Sequence, residues 1–277
     1  MIFSGLLSKL RRRLSKPPPK MYNPLILNFE NPRPVQNLEI VILVPVSPGI
    51  ARQYINSAIY LAQRAAAPFR QCRLIFDSAG APPPANKPHP YRQAALSKIR
   101  QDMVDKYLQT ADWVAWIDAD IVDYPENLLS ELIKRAGNGI AAPILLMDGE
   151  PGSGAMNGDG FGPGRFFDVA GYVENLHWAR FEKPWFDQPG PEYSLDSVGG
   201  CYVVNAEIYR KGARHTADPY SLEFIRKDLK WSAETVKMNQ KGPANCFTEH
   251  FSVCQWAKEN GLPVRAYADL VARHAKV

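Results

Sequence analysis

Cysteine is scarce in this sequence, and long apolar runs are absent. Four cysteines are spread over 277 residues without any CxxC pair, so their spacing predicts free core thiols, with a disulfide left open. No apolar stretch approaches the roughly 18 residues that a membrane-spanning helix needs. We therefore expect a globular protein located in the cytoplasm or at a membrane surface.

The net charge is also close to zero once the first 20 residues are set aside. The chain carries +5 overall, and residues 1–20 contain six cations and no acid, which leaves about −1 for the remainder (5 − 6). Such a near-neutral body lacks the bulk charge that is typical of nucleic-acid-binding proteins, although a nucleic acid as an acceptor stays open.

The basic segment 1–16 interleaves apolar residues with cations at roughly helical spacing. This pattern predicts a short helix that contacts an anionic membrane surface, and a frayed terminus is the alternative. Lys9 interrupts the apolar run, so the segment does not have the core of a signal peptide. Three prolines at 17–19 follow, and we therefore predict that residues 1–37 form a basic tail and a proline-rich spacer.

Apolar runs rich in β-branched residues alternate with amphipathic segments over residues 38–146. The first run, LEIVILVPV at 38–46, is typical of a strand that is buried on both faces of a sheet. In chain order, the pattern predicts strands at 38–46, 73–76, 113–117 and 140–146, with helices at 54–67, 93–107 and 126–136 between them. This alternation predicts an α/β fold with a mostly parallel central sheet flanked by helices.

The second half of the chain lacks this alternation. Residues 148–164 are rich in glycine and predict a long mobile loop, and such loops are usually either functional or disordered. Beyond them we expect a Gly-Gly pair that leads into a strand within 197–205, a helix at 248–260 and a strand at 264–267.

The predicted strand WVAWI at 113–117 runs directly into Asp118 and Asp120. In open α/β sheets, ligands bind beyond the carboxyl ends of the strands. Two carboxylates one residue apart can share Mn²⁺ or Mg²⁺ there, because alternate strand positions face the same side. The pair predicts a cation site that also holds substrate phosphates, and a solvated acidic turn is the alternative.

Three further side chains can complete a site around this cation. Asp77 ends the second predicted strand and can accept hydrogen bonds from a ribose or base, with a turn cap as the alternative. Arg100 can neutralise a diphosphate, and an ordinary surface arginine is the alternative. His274 can supply a further ligand, since imidazole suits Mn²⁺, although a lone histidine is commonly structural.

Two acids in the second half of the chain can face a bound substrate. Glu249 opens the predicted helix at 248–260, where the helix dipole also favours a carboxylate. Asp196 precedes Gly199 and Gly200, and glycine permits close approach of the backbone to a ligand. Asp196 can bind a substrate hydroxyl, and a turn that enters the strand is the alternative.

Together these residues resemble the GT-A glycosyltransferases and, more narrowly, the fungal Golgi α-mannosyltransferase family that elongates the mannan backbone. The resemblance covers roughly residues 38–277. The segments that carry it are Leu38–Pro45, Phe76–Ser78, Arg100, Trp113–Asp120, Asp196–Gly200, Glu249 with the helix closed by Gly261, and His274.

The resemblance implies one GT-A domain over 38–277, with a nucleotide-binding half at 38–147 and an acceptor-binding half at 148–277. It assigns each candidate residue a role. Donor binding falls to Val44, Pro45, Asp77, Arg100, Asp118, Gly199 and Gly200; metal binding to Asp118, Asp120 and His274; and catalysis to Glu249 and Asp196.

The activity implied by the resemblance is metal-dependent transfer of a sugar, with retention, to a glycan or another hydroxyl acceptor. GDP-mannose is the expected donor, and Mn²⁺ or Mg²⁺ the expected cofactor. Two alternatives stay open: another donor, such as a UDP-sugar, used on a modified nucleobase, lipid or protein, and an inactive nucleotide-sugar-binding module. The family resemblance implies the Golgi lumen if the chain is part of a longer one, since family members usually carry a membrane anchor.

Overall fold

The computed structural model describes residues 23–46, 50–78, 89–147, 192–195, 197–216 and 249–275. The strands are β1 (Leu25–Glu30), β2 (Gln36–Pro45), β3 (Phe69–Asp77), β4 (Trp113–Ile117), β5 (Ile121–Asp123), β6 (Ile140–Met147), β7 (Glu192–Ser194), β8 (Cys201–Asn205) and β9 (Val264–His274). The helices are α1 (Arg52–Ala66), α2 (His89–Tyr107), α3 (Leu128–Ala136), α4 (Ala206–Arg210) and α5 (Phe251–Glu259). None of these helices combines the length and apolarity needed to cross a bilayer.

The described strands form one sheet in the order β1-β3-β2-β4-β8-β6-β9-β5, with β7 paired to β9. Strand β2 lies parallel to β3 and β4, and β6 lies parallel to β9. The other described pairs are antiparallel. The predicted α/β class is confirmed, but the sheet is mixed rather than mostly parallel, because β8 is inserted antiparallel between β4 and β6.

The side chains of β2 alternate between two hydrophobic clusters, one on each face of the sheet. Ile40, Ile42 and Val44 pack with α1 and α3 on one face. Val41 and Leu43 pack with α2 and α5 on the other. Helices therefore cover both faces of the centre, which is why this strand is apolar from Ile40 to Pro45. Its neighbour β4 is buried at all five positions and provides a rigid base for the loop that follows it.

Most predicted elements are observed within a few residues of their expected ends, and β4 has the predicted bounds. Strand β1 is the main difference, because it lies inside the spacer predicted over 1–37 and pairs with β3 along its whole length. Its side chains alternate, with Leu25, Leu27 and Phe29 packed against the core. The short elements β5, β7 and α4 were also not predicted, since three to five residues carry too little periodicity.

Three of the four cysteines lie within the described residues, and Cys72, Cys201 and Cys254 are buried there without forming a disulfide with one another. The fourth, Cys246, lies outside the described residues, as do the predicted membrane-contacting segment 1–16 and the glycine-rich loop 148–164.

Candidate functional site

The two acids predicted to bind a cation lie in a turn rather than on the strand. Strand β4 ends just before Asp118, and the Ile121 amide donates to the Asp118 carbonyl (3.0 Å). The Asp118 amide donates to the Gly200 carbonyl (2.7 Å), and the Ala275 amide donates to the Asp120 carbonyl (2.7 Å). The turn is therefore held between the start of β8 and the end of β9, and strand alternation no longer decides where its carboxylates point.

Asp118 faces the guanidinium of Arg100. Arg100 Nη2 donates to Asp118 Oδ1 at 2.7 Å, and the guanidinium carbon lies 4.8 Å from the centre of the Trp116 ring. Burial lowers the pKa of Arg100, but Asp118, Tyr202 and Glu249 outweigh this effect and hold the pKa above its ordinary value. A charged guanidinium is thus buried beside the turn.

Other nitrogens of this guanidinium lack acceptors. Arg100 Nε and Nη1 are buried and have no hydrogen-bond partner among the described residues. The Glu249 carboxylate forms an ion pair with Nε at 3.6 Å, which is longer than a hydrogen bond. A buried donor without an acceptor is destabilising. The arrangement therefore suits an anionic ligand that supplies the missing acceptor oxygens.

Asp120 faces His274 instead. Asp120 Oδ2 lies 3.1 Å from His274 Nε2, because the pairing of Ile121 with His274 places the end of β9 beside the turn. Burial lowers the pKa of His274, but the hydrogen bond and charge of Asp120 outweigh this effect and hold the pKa above its ordinary value. The other ring nitrogen, Nδ1, lies 2.8 Å from the Ala275 carbonyl oxygen.

The distance between Asp120 Oδ2 and His274 Nε2 is that of a hydrogen bond, and it is also compatible with two adjacent ligands of one divalent cation. Ligand atoms bound at about 2.1 Å and at right angles lie about 3.0 Å apart, which agrees with the 3.1 Å between the two side chains. A histidine that donates from Nδ1 to a carbonyl keeps Nε2 as its ligand atom, the common arrangement in metal sites. A carboxylate oxygen and an imidazole nitrogen therefore form a donor pair that suits Mn²⁺.

Asp118 does not join this pair in one cluster. Within the ranges that the structure describes, no group of three or more His, Cys, Asp or Glu side chains is placed to hold a metal ion. Burial raises the pKa of Asp118, the Arg100 guanidinium lowers it and the charge of Asp120 raises it, with a net rise. The metal-binding role of Asp118 stays a prediction.

The turn forms one wall of a pocket of about 360 Å³, a volume in the range of small-molecule sites. An apolar wall lies at the end of β2 and the start of α1. The pocket is lined by Pro45, Val46, Ile50, Ala51, Tyr54, Leu96, Ile99, Arg100, Asp118, Ala119, Asp120 and Glu249. The fold thus brings together five of the predicted site residues, from four separate segments of the chain.

Two predicted donor-binding residues lie beside the pocket lining rather than in it. Val44 is fully buried in the core. Asp77 is buried at the end of β3, where its Oδ2 accepts hydrogen bonds from the Tyr107 hydroxyl (2.6 Å) and from Lys106 Nζ (3.2 Å). This carboxylate is therefore held against α2, so its predicted role in nucleoside binding stays a prediction.

The predicted glycine pair lies against the acidic turn. A Cβ atom at Gly200 would lie 2.8 Å from Asp118 Oδ2, closer than real Cβ atoms approach an oxygen. Glycine at this position thus permits the contact between the start of β8 and the turn. Gly199 is buried just before it, and Asp196 lies outside the described residues.

Two buried histidines contact Glu249: His215, which the sequence did not single out, and His250, which follows Glu249 at the start of the predicted helix. His215 Nδ1 lies 2.8 Å from the Glu249 carbonyl oxygen, and His250 Nε2 lies 3.4 Å from the carboxylate oxygen Oε1. Burial lowers the pKa of both histidines, that of His215 to about 3. His215 belongs to no motif or periodic pattern, so no signal in the sequence could have found it.

No protein-family model matches the chain. Among solved structures, the chain is similar to a crystal structure of GalNAc-T7 with UDP, GalNAc and Mn²⁺, at 10% sequence identity and a TM-score of 0.45. The similarity covers 87% of this chain and 43% of that one, so the chain spans less than half the length of the solved protein. Neither comparison assigns the chain to a family.

Proposed function

We propose that the protein is a metal-dependent glycosyltransferase of GT-A fold that transfers a sugar from a nucleoside diphosphate sugar to a hydroxyl acceptor. One observation carries the proposal: two buried nitrogens of the Arg100 guanidinium have no hydrogen-bond partner in the described part of the chain, and Arg100 lines the same pocket as Asp120. Beside it, His274 and Asp120 offer ligand atoms for a cation. A guanidinium and a cation side by side are what the charge of a diphosphate requires.

Each charged side chain then has a role at the diphosphate. Arg100 would donate from Nε and Nη1 to phosphate oxygens, and its bond to Asp118 fixes the plane from which it donates. Asp120 and His274 would hold Mn²⁺, which when bound supplies positive charge that stabilises the leaving diphosphate. Asp118 would bind the cation or the ribose of the donor.

The nucleoside would occupy the other end of the pocket. Val46, Ile50 and Tyr54 form an apolar wall there, against which a nucleobase can pack. Asp77 pairs with Pro45 in the register of β2 and β3, so it lies at the same edge of the sheet. We propose that it contributes to nucleoside binding from that edge.

Glu249 would orient the acceptor or stabilise charge on the reacting sugar. In a reaction with retention, which the family resemblance implies, the leaving phosphate takes the acceptor proton and no protein base is needed. In an inverting reaction, Glu249 would be the base. The Arg100 guanidinium 3.6 Å from Glu249 supports the first role, because the ion pair holds the carboxylate in place at the pocket wall.

GDP-mannose is the donor that we propose first, and UDP-sugars used on a non-glycan acceptor are the second candidate. Thermal unfolding with Mn²⁺ and each of GDP-mannose, GDP, UDP-sugars and UDP tests the choice. A ligand at 100 times its Kd stabilises the folded protein by about 2.7 kcal/mol. The proposal fails if no nucleotide raises the melting temperature, and binding without turnover on any hydroxyl acceptor would favour an inactive binding module.

A further inference from the structure

Two buried rings outside the proposed chemistry connect Glu249 to the strand that leads into the acidic turn. We propose that His215 is a positioning residue, which fixes Glu249 relative to Arg100 through a relay of hydrogen bonds that starts at Trp116 and passes through Tyr209. The inference rests on the proposed function for the role of Glu249, whereas the relay itself rests on observed distances between atoms.

The relay has three bonds, and their direction is determined. Trp116 Nε1 lies 2.9 Å from the Tyr209 hydroxyl oxygen, that oxygen lies 3.0 Å from His215 Nε2, and His215 Nδ1 lies 2.8 Å from the Glu249 carbonyl oxygen. An indole N–H can only donate and a carbonyl oxygen can only accept. A neutral His215 must therefore donate from Nδ1 and accept the Tyr209 proton at Nε2.

The relay is buried along its whole length. Trp116, Tyr209 and His215 are each at most 3% exposed, and the His215 ring meets the Trp116 ring edge-on at 5.3 Å. Buried polar groups of this kind are stabilising only when every donor and acceptor is paired. Loss of the imidazole would leave the Tyr209 proton and the Glu249 carbonyl without these partners. We therefore expect residues 249–253 to become more mobile.

A second tether starts from the neighbouring strand at the same level. Tyr202 lies opposite Trp116 in the pairing of β4 with β8, and its hydroxyl lies 3.0 Å from His250 Nδ1. His250 Nε2 in turn faces the Glu249 carboxylate at 3.4 Å. One pair of opposite residues in the sheet thus holds Glu249 at two points, its carbonyl through His215 and its carboxylate through His250.

This arrangement matters because Trp116 also lies under the Arg100 guanidinium and two positions before Asp118. The side chain that supports the proposed diphosphate site is therefore the one that anchors Glu249. Catalytic groups must be held within a fraction of an ångström to be effective, and such placement depends on the groups behind them.

The test compares three variants that remove different parts of the relay. His215→Phe keeps an aromatic ring and removes both hydrogen bonds, His215→Asn keeps an N–H donor near the position of Nδ1, and Tyr209→Phe removes only the hydroxyl. We expect His215→Phe to lower kcat about tenfold with less than a twofold change in the KM of the donor sugar, and His215→Asn to restore most of the loss. Tyr209→Phe should fall between them.

A double-mutant cycle distinguishes positioning from general destabilisation. Because His215 is proposed to act through Glu249, His215→Phe should have no further effect on kcat in a Glu249→Gln background. Additive losses, or a loss of stability at unchanged kcat, would overturn the inference.

Two measurements need no enzymatic activity. Nitrogen-15 spectra of the histidine side chains should show His215 as the neutral Nδ1–H tautomer between pH 5 and 8, and the Nε2–H tautomer would contradict the relay. Hydrogen exchange should be faster at residues 249–253 in His215→Phe than in His215→Asn, and equal rates would also contradict it. If no donor is turned over, the proposed function fails, while these two measurements still decide whether His215 positions Glu249.

Discussion

Arg100 and Asp118 form an ion pair whose two members have very different surroundings. Arg100 Nη2 and Asp118 Oδ1 are 2.7 Å apart, yet the arginine side chain is 1% exposed and the aspartate side chain 33%. The cation is therefore fixed in the interior on the face of Trp116, and its anion lines the pocket. Arg100 itself also contributes to the lining of this pocket.

Replacement of Arg100 by lysine should weaken the binding of nucleoside diphosphates. An ammonium keeps the charge but lacks the planar fork of donors. The two phosphate contacts that we propose for Nε and Nη1 therefore cannot both form. We expect the Kd of GDP or UDP in the presence of Mn²⁺ to rise at least about tenfold, measured by calorimetry. Arg73→Lys is the matched control, because Arg73 lies outside the pocket and donates to the Tyr107 carbonyl; equal effects of the two variants would contradict the prediction.

Asp120→Asn and His274→Gln should each abolish stabilisation by Mn²⁺. Each removes one of the two ligand atoms that lie 3.1 Å apart, and loss of a ligand from a small set removes most of the affinity for the metal. Titration of Mn²⁺ in a thermal-unfolding assay measures the effect. Asp123→Asn controls for general loss of negative charge, because Asp123 is exposed at the end of β5. Normal Mn²⁺ stabilisation in Asp120→Asn would rule out this ligand pair.

Gly200→Ala should impair the site more than the fold. The added methyl group would lie 2.8 Å from Asp118 Oδ2, so the carboxylate must move away from its present place. We expect donor binding and kcat each to fall at least about fivefold, with an unfolding free energy within about 1 kcal/mol of the parent value.

Gly212→Ala is the opposite case and serves as the control. Its Cβ would meet nothing within 4 Å, but the backbone has a φ of +114°, which an alanine rarely adopts. This variant should lose more than about 1 kcal/mol of unfolding free energy and keep its donor affinity. If both variants behaved alike, the contact of Gly200 with Asp118 would have no specific role.

Glu249→Gln should lower kcat about 100-fold while the KM of the donor changes little, because we propose that the carboxylate acts on the reacting sugar or acceptor rather than on the nucleotide. Steady-state kinetics with saturating acceptor measure both constants. Glu259→Gln at the far end of α5 is the matched control, since Glu259 is exposed. A loss below about threefold would remove Glu249 from the catalytic set, and a loss above about 10⁴-fold would favour a base.

The two buried histidines should make the protein less stable in acid. Burial lowers the pKa of His215 to about 3 and lowers that of His250 as well, whereas the pKa in the unfolded chain is about 6.5. Below that value the unfolded chain takes up a proton that the folded protein does not, so the unfolding free energy falls as pH drops, by up to about 1.4 kcal/mol per pH unit for each histidine.

Urea unfolding between pH 4 and 7 measures this slope. In His215→Asn, which cannot titrate, the slope should be smaller by the contribution of one proton. An unchanged slope would show that His215 is protonated in the folded protein, contrary to the hydrogen bonds that surround it.

Local sequence patterns were sufficient for the elements of the central sheet and for the candidate residues next to them. The uninterrupted apolar runs of β2 and β4 predicted strands buried on both faces, because no other element accommodates such runs. The acids after β4 were identified as candidate site residues because carboxylates seldom follow a buried strand without a partner. Arg100 and Glu249, both predicted as site residues, line the pocket, but their ion pair was not predicted.

Only the tertiary structure decided how the sheet is ordered and which groups pair. The insertion of β8 between β4 and β6 depends on contacts between residues far apart in the chain. Strand β1 likewise forms through its pairing with β3, which no local pattern in β1 predicts. For the same reason Asp118 and Asp120, which alternation predicted to converge on one cation, face Arg100 and His274 instead. The relay through His215 joins three segments that lie far apart in the chain, so no local pattern could encode it. The sequence determines which residues are apolar and which carry charge, and the packing determines which of them are in contact.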